Sequence, residues 1–146
     1  MAYGSSFNVL AAGAALDECA RILRIGGIWL ALWNHRDLLD PLQRAVELLI
    51  QRHVPNYDYG RRRQSPEADV SLHGAFGKVT ASQRCFVAEV RARDWVEAWR
   101  SHATLQRQAG SRHALVLREI SALVAGQHTL RVPYQTKLWW AKRLPQ

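Results

Sequence analysis

The sequence predicts an α/β fold built around a parallel sheet, from a helical stretch and a strand that follow each other early in the chain. Apolar side chains recur at helical spacing from Leu16 to Leu23, and Gly26 and Gly27 come next. We expect these glycines to cap the helix, because glycine accepts the left-handed conformation. Residues 28–33 are apolar at every position, which is typical of a strand covered on both faces in a parallel sheet. The helix, the glycine pair and the strand together form half of a β-α-β unit. We therefore expect a parallel strand before the helix, although the short stretch before the helix leaves little room for it.

The next predicted elements are a helix and a long connection. Asp40 is placed to cap a helix with Pro41 in its first turn, where a missing N–H costs nothing, and this helix should end near His53. Residues 56–82 show no sustained period and predict a long connection, with a short helix at residues 67–72.

Alternation and capping signals define the remaining elements. Residues 84–92 alternate and predict a strand. Asp94, with Glu97 three residues later, predicts a capping box that opens a helix, and Ser111 should cap another. Residues 128–143 predict a final strand, in which Pro133 favours a sheet edge or a bulge.

Composition indicates one globular domain spanning residues 1–146. The net charge of +8, with a run at Arg61, Arg62 and Arg63, would attract anions, although arginine also solvates helices. The aromatic residues lie on apolar faces rather than among these arginines, so nucleic acid is not the expected partner. No signal peptide or membrane span is indicated, and Cys19 and Cys85 are predicted to be core thiols, so we expect a cytoplasmic protein.

Several segments resemble one family. The stretch ALDECARILRIGGIWLALWNHRD resembles the segment of class I S-adenosylmethionine-dependent methyltransferases that runs from a helix through a glycine pair into the fifth strand. SSFNVL resembles the loop after the fourth strand. DPLQRAVELLIQRHVPNY, FGKVTASQRCF and TLRVPYQTKLWWAKR resemble the type 11 branch, which is related to trans-aconitate methyltransferases. The resemblance implies the C-terminal part of a Rossmann-like methyltransferase sheet, of about three strands with flanking helices.

The cofactor motif of that family has no counterpart in this chain. The family binds S-adenosylmethionine on a Gly-rich turn after its first strand, and this chain has no Gly-x-Gly-x-Gly sequence. We therefore expect a truncated sheet that begins after the fourth strand and leaves an apolar strand edge unpaired. Such an edge needs a cover, so oligomerisation is expected to complete the sheet, through a homodimer or a cofactor-binding partner subunit.

The resemblance also implies site residues, by position. The loops after the fourth and fifth strands face the substrate in the family, which gives Phe7, Asn8, Asn34 and Arg36 as substrate-binding residues, with Arg36 pairing a carboxylate. His35 is a candidate general base. If a partner completes the site, Ser6 and Phe7 would contact the cofactor, and no metal site is implied.

Two further candidates come from the C-terminal half of the chain. His102 is a candidate catalytic residue because the family often has a different sequence there, and Tyr134 is a candidate substrate-binding residue among the aromatic side chains.

Three functions stay open at this stage. The first is the substrate-side half of a split or truncated methyltransferase acting on a small molecule, in which this chain alone does not transfer methyl groups. The second is an enzyme that works without the cofactor, for which an aromatic pocket would orient a cyclisation or rearrangement in small-molecule biosynthesis. The third is a non-catalytic partner subunit.

Overall fold

The chain contains ten helices and strands in the part that the structure describes. The computed structural model describes residues 1–59 and 64–145, so the predicted arginine run at residues 61–63 lies outside them. In chain order the elements are β1 (Ala2–Gly4), α1 (Ala12–Ile22), β2 (Ile28–Arg36), α2 (Pro41–His53), α3 (Glu67–Leu72), β3 (Thr80–Arg91), α4 (Ala92–Arg100), α5 (Ala103–Ala109), α6 (His113–Leu123) and β4 (Thr129–Lys142).

The strands form one four-stranded sheet in the order β1-β2-β4-β3, which confirms the predicted α/β class. Strand β1 pairs in parallel with β2, in a register that places Ala2 opposite Leu30 and Gly4 opposite Leu32. This is the parallel strand expected before α1, reduced to three residues. The prediction of an unpaired edge on β2 is therefore wrong along the length that β1 covers.

Contacts between Cα atoms divide the chain into two compact units, and strands β2, β3 and β4 contribute residues to both. The first unit comprises Met1–His35, Gly60–Cys85 and Gln135–Gln146, and the second comprises Arg36–Tyr59 and Phe86–Tyr134.

In the first unit, one face of β2 forms the core. Trp29, Ala31 and Trp33 are buried and belong to the same apolar cluster as Leu16 and Cys19 of α1. The opposite face is more open, and Ile28 is 37% exposed. The prediction that both faces of this strand are fully covered is thus wrong, because only alternate residues enter the core.

The glycine pair forms a turn beyond the helix. Helix α1 ends at Ile22, and Gly26 lies in the left-handed region with a φ of +77°. The Gly27 N–H donates to the Arg24 carbonyl, and a Cβ atom at Gly27 would lie 2.7 Å from that oxygen. The turn into β2 therefore requires both glycines. They were expected to cap the end of α1, but Gly26 lies four residues beyond that end.

The two cysteines have different environments. Cys19 is buried, and its Sγ lies 3.1 Å from the Tyr3 hydroxyl, so the two side chains link α1 to β1. Burial, with the hydrogen bond to Cys19, raises the pKa of Tyr3 to about 12. Cys85 is exposed on β3, so its prediction as a core thiol is wrong.

In the second unit, the core forms among α2, α4 and α6. The Asp40 side chain accepts a hydrogen bond from the Gln43 N–H at 2.9 Å, which confirms the predicted cap of α2. Helix α4 begins at Ala92, two residues before the predicted capping box. Pro133 lies on β4 inside the sheet, so the predicted edge position is wrong, and its carbonyl accepts hydrogen bonds from the Asp37 N–H and the Gln43 amide.

Candidate functional site

The loop after β1 forms a short 3₁₀ turn, Phe7–Val9, preceded by the half-buried Ser6. Phe7 is only 2% exposed, and its ring packs edge-on against Tyr3 and Trp29, with ring centroids 5.3 and 5.1 Å away. Phe7, which was predicted to contact the substrate and the cofactor, is therefore part of the apolar core. At a binding site, its side chain would support the neighbouring residues.

A small cavity of about 20 Å³ lies beside this turn, in the first unit. Its lining comes from the loop, α1, β2, the segment before α3 and α3 itself. In that order, the residues are Phe7 and Asn8; Ala12; Trp33; Gln64, Ser65 and Pro66; and Asp69. Two of these residues carry a buried polar atom that has no hydrogen-bond partner within residues 1–59 and 64–145: Asn8, through Oδ1, and Trp33, through Nε1. Both residues line the cavity, whereas these two atoms are themselves shielded from solvent.

Asn34 and His35 end the part of β2 that belongs to the first unit, and neither lines the cavity. The Asn34 Oδ1 atom accepts a hydrogen bond from the Thr136 hydroxyl at 2.7 Å. The His35 ring is half-buried and packs against Trp33, with ring centroids 6.3 Å apart. His35 therefore borders the indole that forms one wall of the cavity.

Arg36 is held in a cluster within the second unit. Its Nη2 donates to Oε2 of Glu47 at 2.7 Å, and the guanidinium carbon lies 4.4 Å from the Trp99 ring centroid and 5.4 Å from that of Tyr59. The side chains of Arg36 and Glu47 are only 13% and 11% exposed. Because Glu47 balances this charge, a substrate carboxylate would have to share the guanidinium with it.

Glu47 and Tyr59 are the members of this cluster that the sequence prediction missed. The Tyr59 hydroxyl donates to the same Glu47 oxygen at 3.0 Å. A signal was present, since Gln43, Glu47 and Ile50 follow the helical spacing of a buried face. The sequence predicts an apolar face of Leu42, Ala45, Val46 and Leu49, of which Val46 and Leu49 are buried and Leu42 and Ala45 are half-buried.

His102 lies in the same cluster and caps a helix. Its Nδ1 atom accepts a hydrogen bond from the Leu105 N–H at 3.2 Å, at the start of α5. Its ring packs on Trp99 and Tyr59, with centroids 5.2 and 6.3 Å away. Because Nδ1 uses its lone pair in the cap, a neutral His102 carries its proton on Nε2. Action as a base at Nδ1 would require the cap to open.

Tyr134 lies on β4 within reach of the Arg36 charge. Its ring stacks on Phe86, with centroids 5.5 Å apart. Burial raises the pKa of the Tyr134 hydroxyl, and the positive charge of Arg36 opposes part of that rise. The hydroxyl is therefore protonated near neutral pH and available as a hydrogen-bond donor. Of the predicted residues, the second unit thus brings together Arg36, His102 and Tyr134.

Comparison with known proteins identifies the fold. No family model matches the sequence, and no curated protein matches it. A solved structure described as a "Putative Type II Methyltransferase" from Anaeromyxobacter dehalogenans superposes with a TM-score of 0.62 at 14% sequence identity. The match covers 99% of this chain and 64% of that one, so the chain spans less than two thirds of its neighbour's length. The fold is methyltransferase-like.

Two cavities of the described residues can be compared with the size of the family's cofactor. The cavity beside Asn8 holds a group of about the size of one water, far smaller than S-adenosylmethionine. A larger groove of about 480 Å³ between α2 and α6 is walled by Leu48, Leu49 and Leu123 and includes no predicted site residue. Neither of these two cavities combines a predicted cofactor residue with a space of the size of S-adenosylmethionine.

Two further features are absent from the described residues. Within residues 1–59 and 64–145, no group of three or more His, Cys, Asp or Glu side chains is placed to hold a metal ion. No helix in the same part of the chain is long and apolar enough to cross a membrane.

Proposed function

We propose that this chain is the substrate-side part of an S-adenosylmethionine-dependent methyltransferase that acts on a small molecule. The observation that carries the proposal is the methyltransferase-like fold, which accounts for 99% of the chain and 64% of a chain described as a "Putative Type II Methyltransferase". The resemblance of the sequence segments supports the same family. The cofactor would be held by residues outside this sequence, in a longer polypeptide or in a separate subunit.

The position of the cavity supports a substrate-side role. Asn8 follows the carboxyl end of β1, and Trp33 lies near the carboxyl end of the parallel neighbour β2. In open α/β sheets, ligands bind beyond the carboxyl ends of the strands. The cavity thus lies where a substrate would approach such a sheet. His35, which packs on Trp33, remains the proposed general base.

Two experiments with S-adenosylmethionine test this function, and the second uses the radiolabelled cofactor. The first measures cofactor binding by calorimetry for the chain alone and for the chain produced together with the polypeptide encoded directly upstream, provided that this polypeptide carries a Gly-x-Gly-x-Gly turn. We expect no binding by the chain alone and binding by the combination. The second measures methyl transfer to a panel of small carboxylic acids and alcohols, which we expect only from the combination.

The controls separate the alternatives. A Gly-to-Val change in the glycine turn of the upstream polypeptide should abolish binding, because side chains there block the approach of the cofactor. Binding of S-adenosylmethionine by the isolated chain would contradict the proposal. Turnover of a small molecule without the cofactor would favour the repurposed enzyme instead.

A further inference from the structure

We propose that the groove between α2 and α6 binds an amphipathic helix with an acidic polar face, supplied by another protein. The inference goes beyond the proposed function and does not depend on it. It rests on the apolar lining of the groove, on the helical spacing of its walls and on the charge at its rim. All the residues concerned belong to the second unit.

The walls of the groove are mostly apolar, and part of that apolar surface is open to solvent. The groove has a volume of about 480 Å³. Leu48 and Leu123 are 53% and 39% exposed, whereas Leu49 is only 6% exposed. In the part of the chain that the structure describes, the groove is lined by α2 and α6 alone. A partner that covers the two exposed leucines would therefore gain free energy by burying them.

The spacing of the lining residues matches the surface that one further helix would cover. They recur at i, i+3, i+4 and i+7 on α2 and at i, i+3 and i+4 on α6, namely Ala45, Leu48, Leu49 and Arg52, with Glu119, Ala122 and Leu123. Side chains at this spacing form the ridges against which another helix packs. The stretch from the first to the last of these residues on α2 rises about 10 Å, or about two turns of an occupant.

Positive charge at the rim sets the charge of the occupant. Arg52 is the last lining residue of α2, its side chain is 72% exposed, and its Nη1 atom lies 3.9 Å from Oε2 of Glu119. The other carboxylate oxygen of Glu119 lies 3.0 Å from Nε2 of His53. Glu119 is thus engaged within the protein. The Arg52 guanidinium carries more N–H donors than this one long contact uses, so it can pair with a carboxylate of the partner.

The charges next to the groove favour an acidic partner over a second copy of this chain. Arg44 is exposed and lies one helical turn before Leu48, and Arg118 is likewise exposed, one turn before Ala122. Two copies placed groove to groove would bring these arginines together, and each copy carries a net charge of +8. An acidic helix instead meets opposite charge beside both walls, which speeds its encounter and fixes its orientation.

Binding of synthetic peptides to the full chain tests this inference. The probe is a fluorescently labelled helical peptide of about five turns, with leucine along one face and glutamate and alanine elsewhere. A second peptide has lysine in place of every glutamate, and a third has the composition of the probe with its leucines spread over all faces. We expect fluorescence anisotropy to show that the probe binds at least about tenfold more tightly than either of the others. Circular dichroism should show that the probe gains helix on binding.

Matched variants of the chain locate the binding. Leu48→Ser and Leu123→Ser should each weaken binding of the probe about tenfold, because the groove loses apolar contact. Leu72→Ser is their control, since Leu72 is 86% exposed on α3 and does not line the groove. Arg52→Ala should weaken binding of the probe about threefold, because one ion pair at the rim is lost. Arg107→Ala, at an exposed position on α5, is its control and should leave the affinity unchanged.

Three results would overturn the inference. One is equal affinity for the glutamate and lysine peptides, and another is an equal loss of binding in Leu48→Ser and Leu72→Ser. The third is a self-association of the chain that Leu48→Ser abolishes, because the occupant would then be a second copy. If Leu48→Ser fails to fold, Leu123→Ser decides alone. Methyl transfer plays no part in these measurements, so their failure would leave the proposed function intact.

Discussion

At the scale of single residues, His102 combines a structural task with a place in an aromatic cluster. Its Nδ1 atom caps α5, and its ring lies on Trp99, which also stacks on the Arg36 guanidinium. In the sequence, His102 was notable only because the methyltransferase family that the chain resembles often has a different sequence there. Its capping role was not predictable, because helix α5 was not predicted. The structural task is sufficient to explain a histidine at this position.

His102 is predicted to be replaceable by another capping residue. His102→Ala should lower the free energy of unfolding by about 0.5–2 kcal/mol, because the Leu105 N–H loses its acceptor. His102→Asn keeps a side-chain acceptor and should recover most of that loss in urea denaturation.

A turnover assay of the completed enzyme distinguishes the cap from a catalytic role. Activity that survives His102→Asn would show that the cap is the main task of the residue. A stable His102→Asn protein that has lost turnover would restore His102 as a catalytic residue.

At the scale of elements, α2 presents two polar residues on its buried face, and both hold neighbouring segments. The Gln43 amide donates to the Pro133 carbonyl of β4, and Glu47 accepts hydrogen bonds from Arg36, at the end of β2, and from Tyr59. The limits and cap of this helix followed from Asp40 and His53 in the sequence. Its buried face followed only in part: Val46 and Leu49 were expected, whereas Gln43 and Glu47 were not, because a buried polar residue that finds a partner breaks the rule that apolar residues turn inward.

Breaking the ion pair should destabilise the second unit more than replacing both partners. Glu47→Ala is expected to cost about 3–5 kcal/mol, because Arg36 would be left as a buried charge without its carboxylate. The double variant Arg36→Met with Glu47→Ala should cost clearly less than the sum of the single changes Arg36→Met and Glu47→Ala. Chemical denaturation of the four proteins measures both effects.

The control for this prediction is a more exposed ion pair that joins the same helix to α6. Arg52 is 72% exposed and lies 3.9 Å from Glu119. Arg52→Ala should change stability by no more than about 1 kcal/mol. If Glu47→Ala proved equally mild, the Arg36–Glu47 pair would not hold these elements together.

The strands, like the buried face of α2, were only partly predictable from the sequence. The last strand was predicted at residues 128–143 and lies at Thr129–Lys142. β1 was expected from the β-α-β logic but could not be located, because three residues carry no detectable periodicity. Its pairing with β2 is a tertiary contact that no local pattern encodes. The small cavity was equally unpredictable, since it joins residues from four separate segments.

At the scale of the whole molecule, the sheet leaves its two outer strands without a neighbour in the described residues. β1 is short, whereas β3 has twelve residues, and Thr80 to Val87 are all exposed. Phe86 and Val87 are 41% and 49% exposed. A long strand edge with apolar side chains favours association. The expected contact with a second copy or a partner subunit is therefore better supported at the edge of β3 than at β2.

The chain is therefore predicted to associate at micromolar concentration. Analytical ultracentrifugation should give a mass above that of one 16.6 kDa chain. Val87→Lys should shift the equilibrium toward the monomer, because an added charge on an edge strand opposes pairing. Lys78→Glu, before the strand, is a control that changes charge without adding to β3. A folded wild-type monomer at this concentration would contradict the prediction.

The pairing of Trp33 with Trp139 has an optical consequence. Their ring centroids lie 4.6 Å apart, with the planes tilted by 37°. Two indole chromophores at this separation exchange excitation energy, so they should give a paired positive and negative band in the circular dichroism spectrum. Trp33 also forms a wall of the small cavity. The chain thus carries an intrinsic chromophore pair, and the amplitude of its bands should report when a molecule enters beside Asn8.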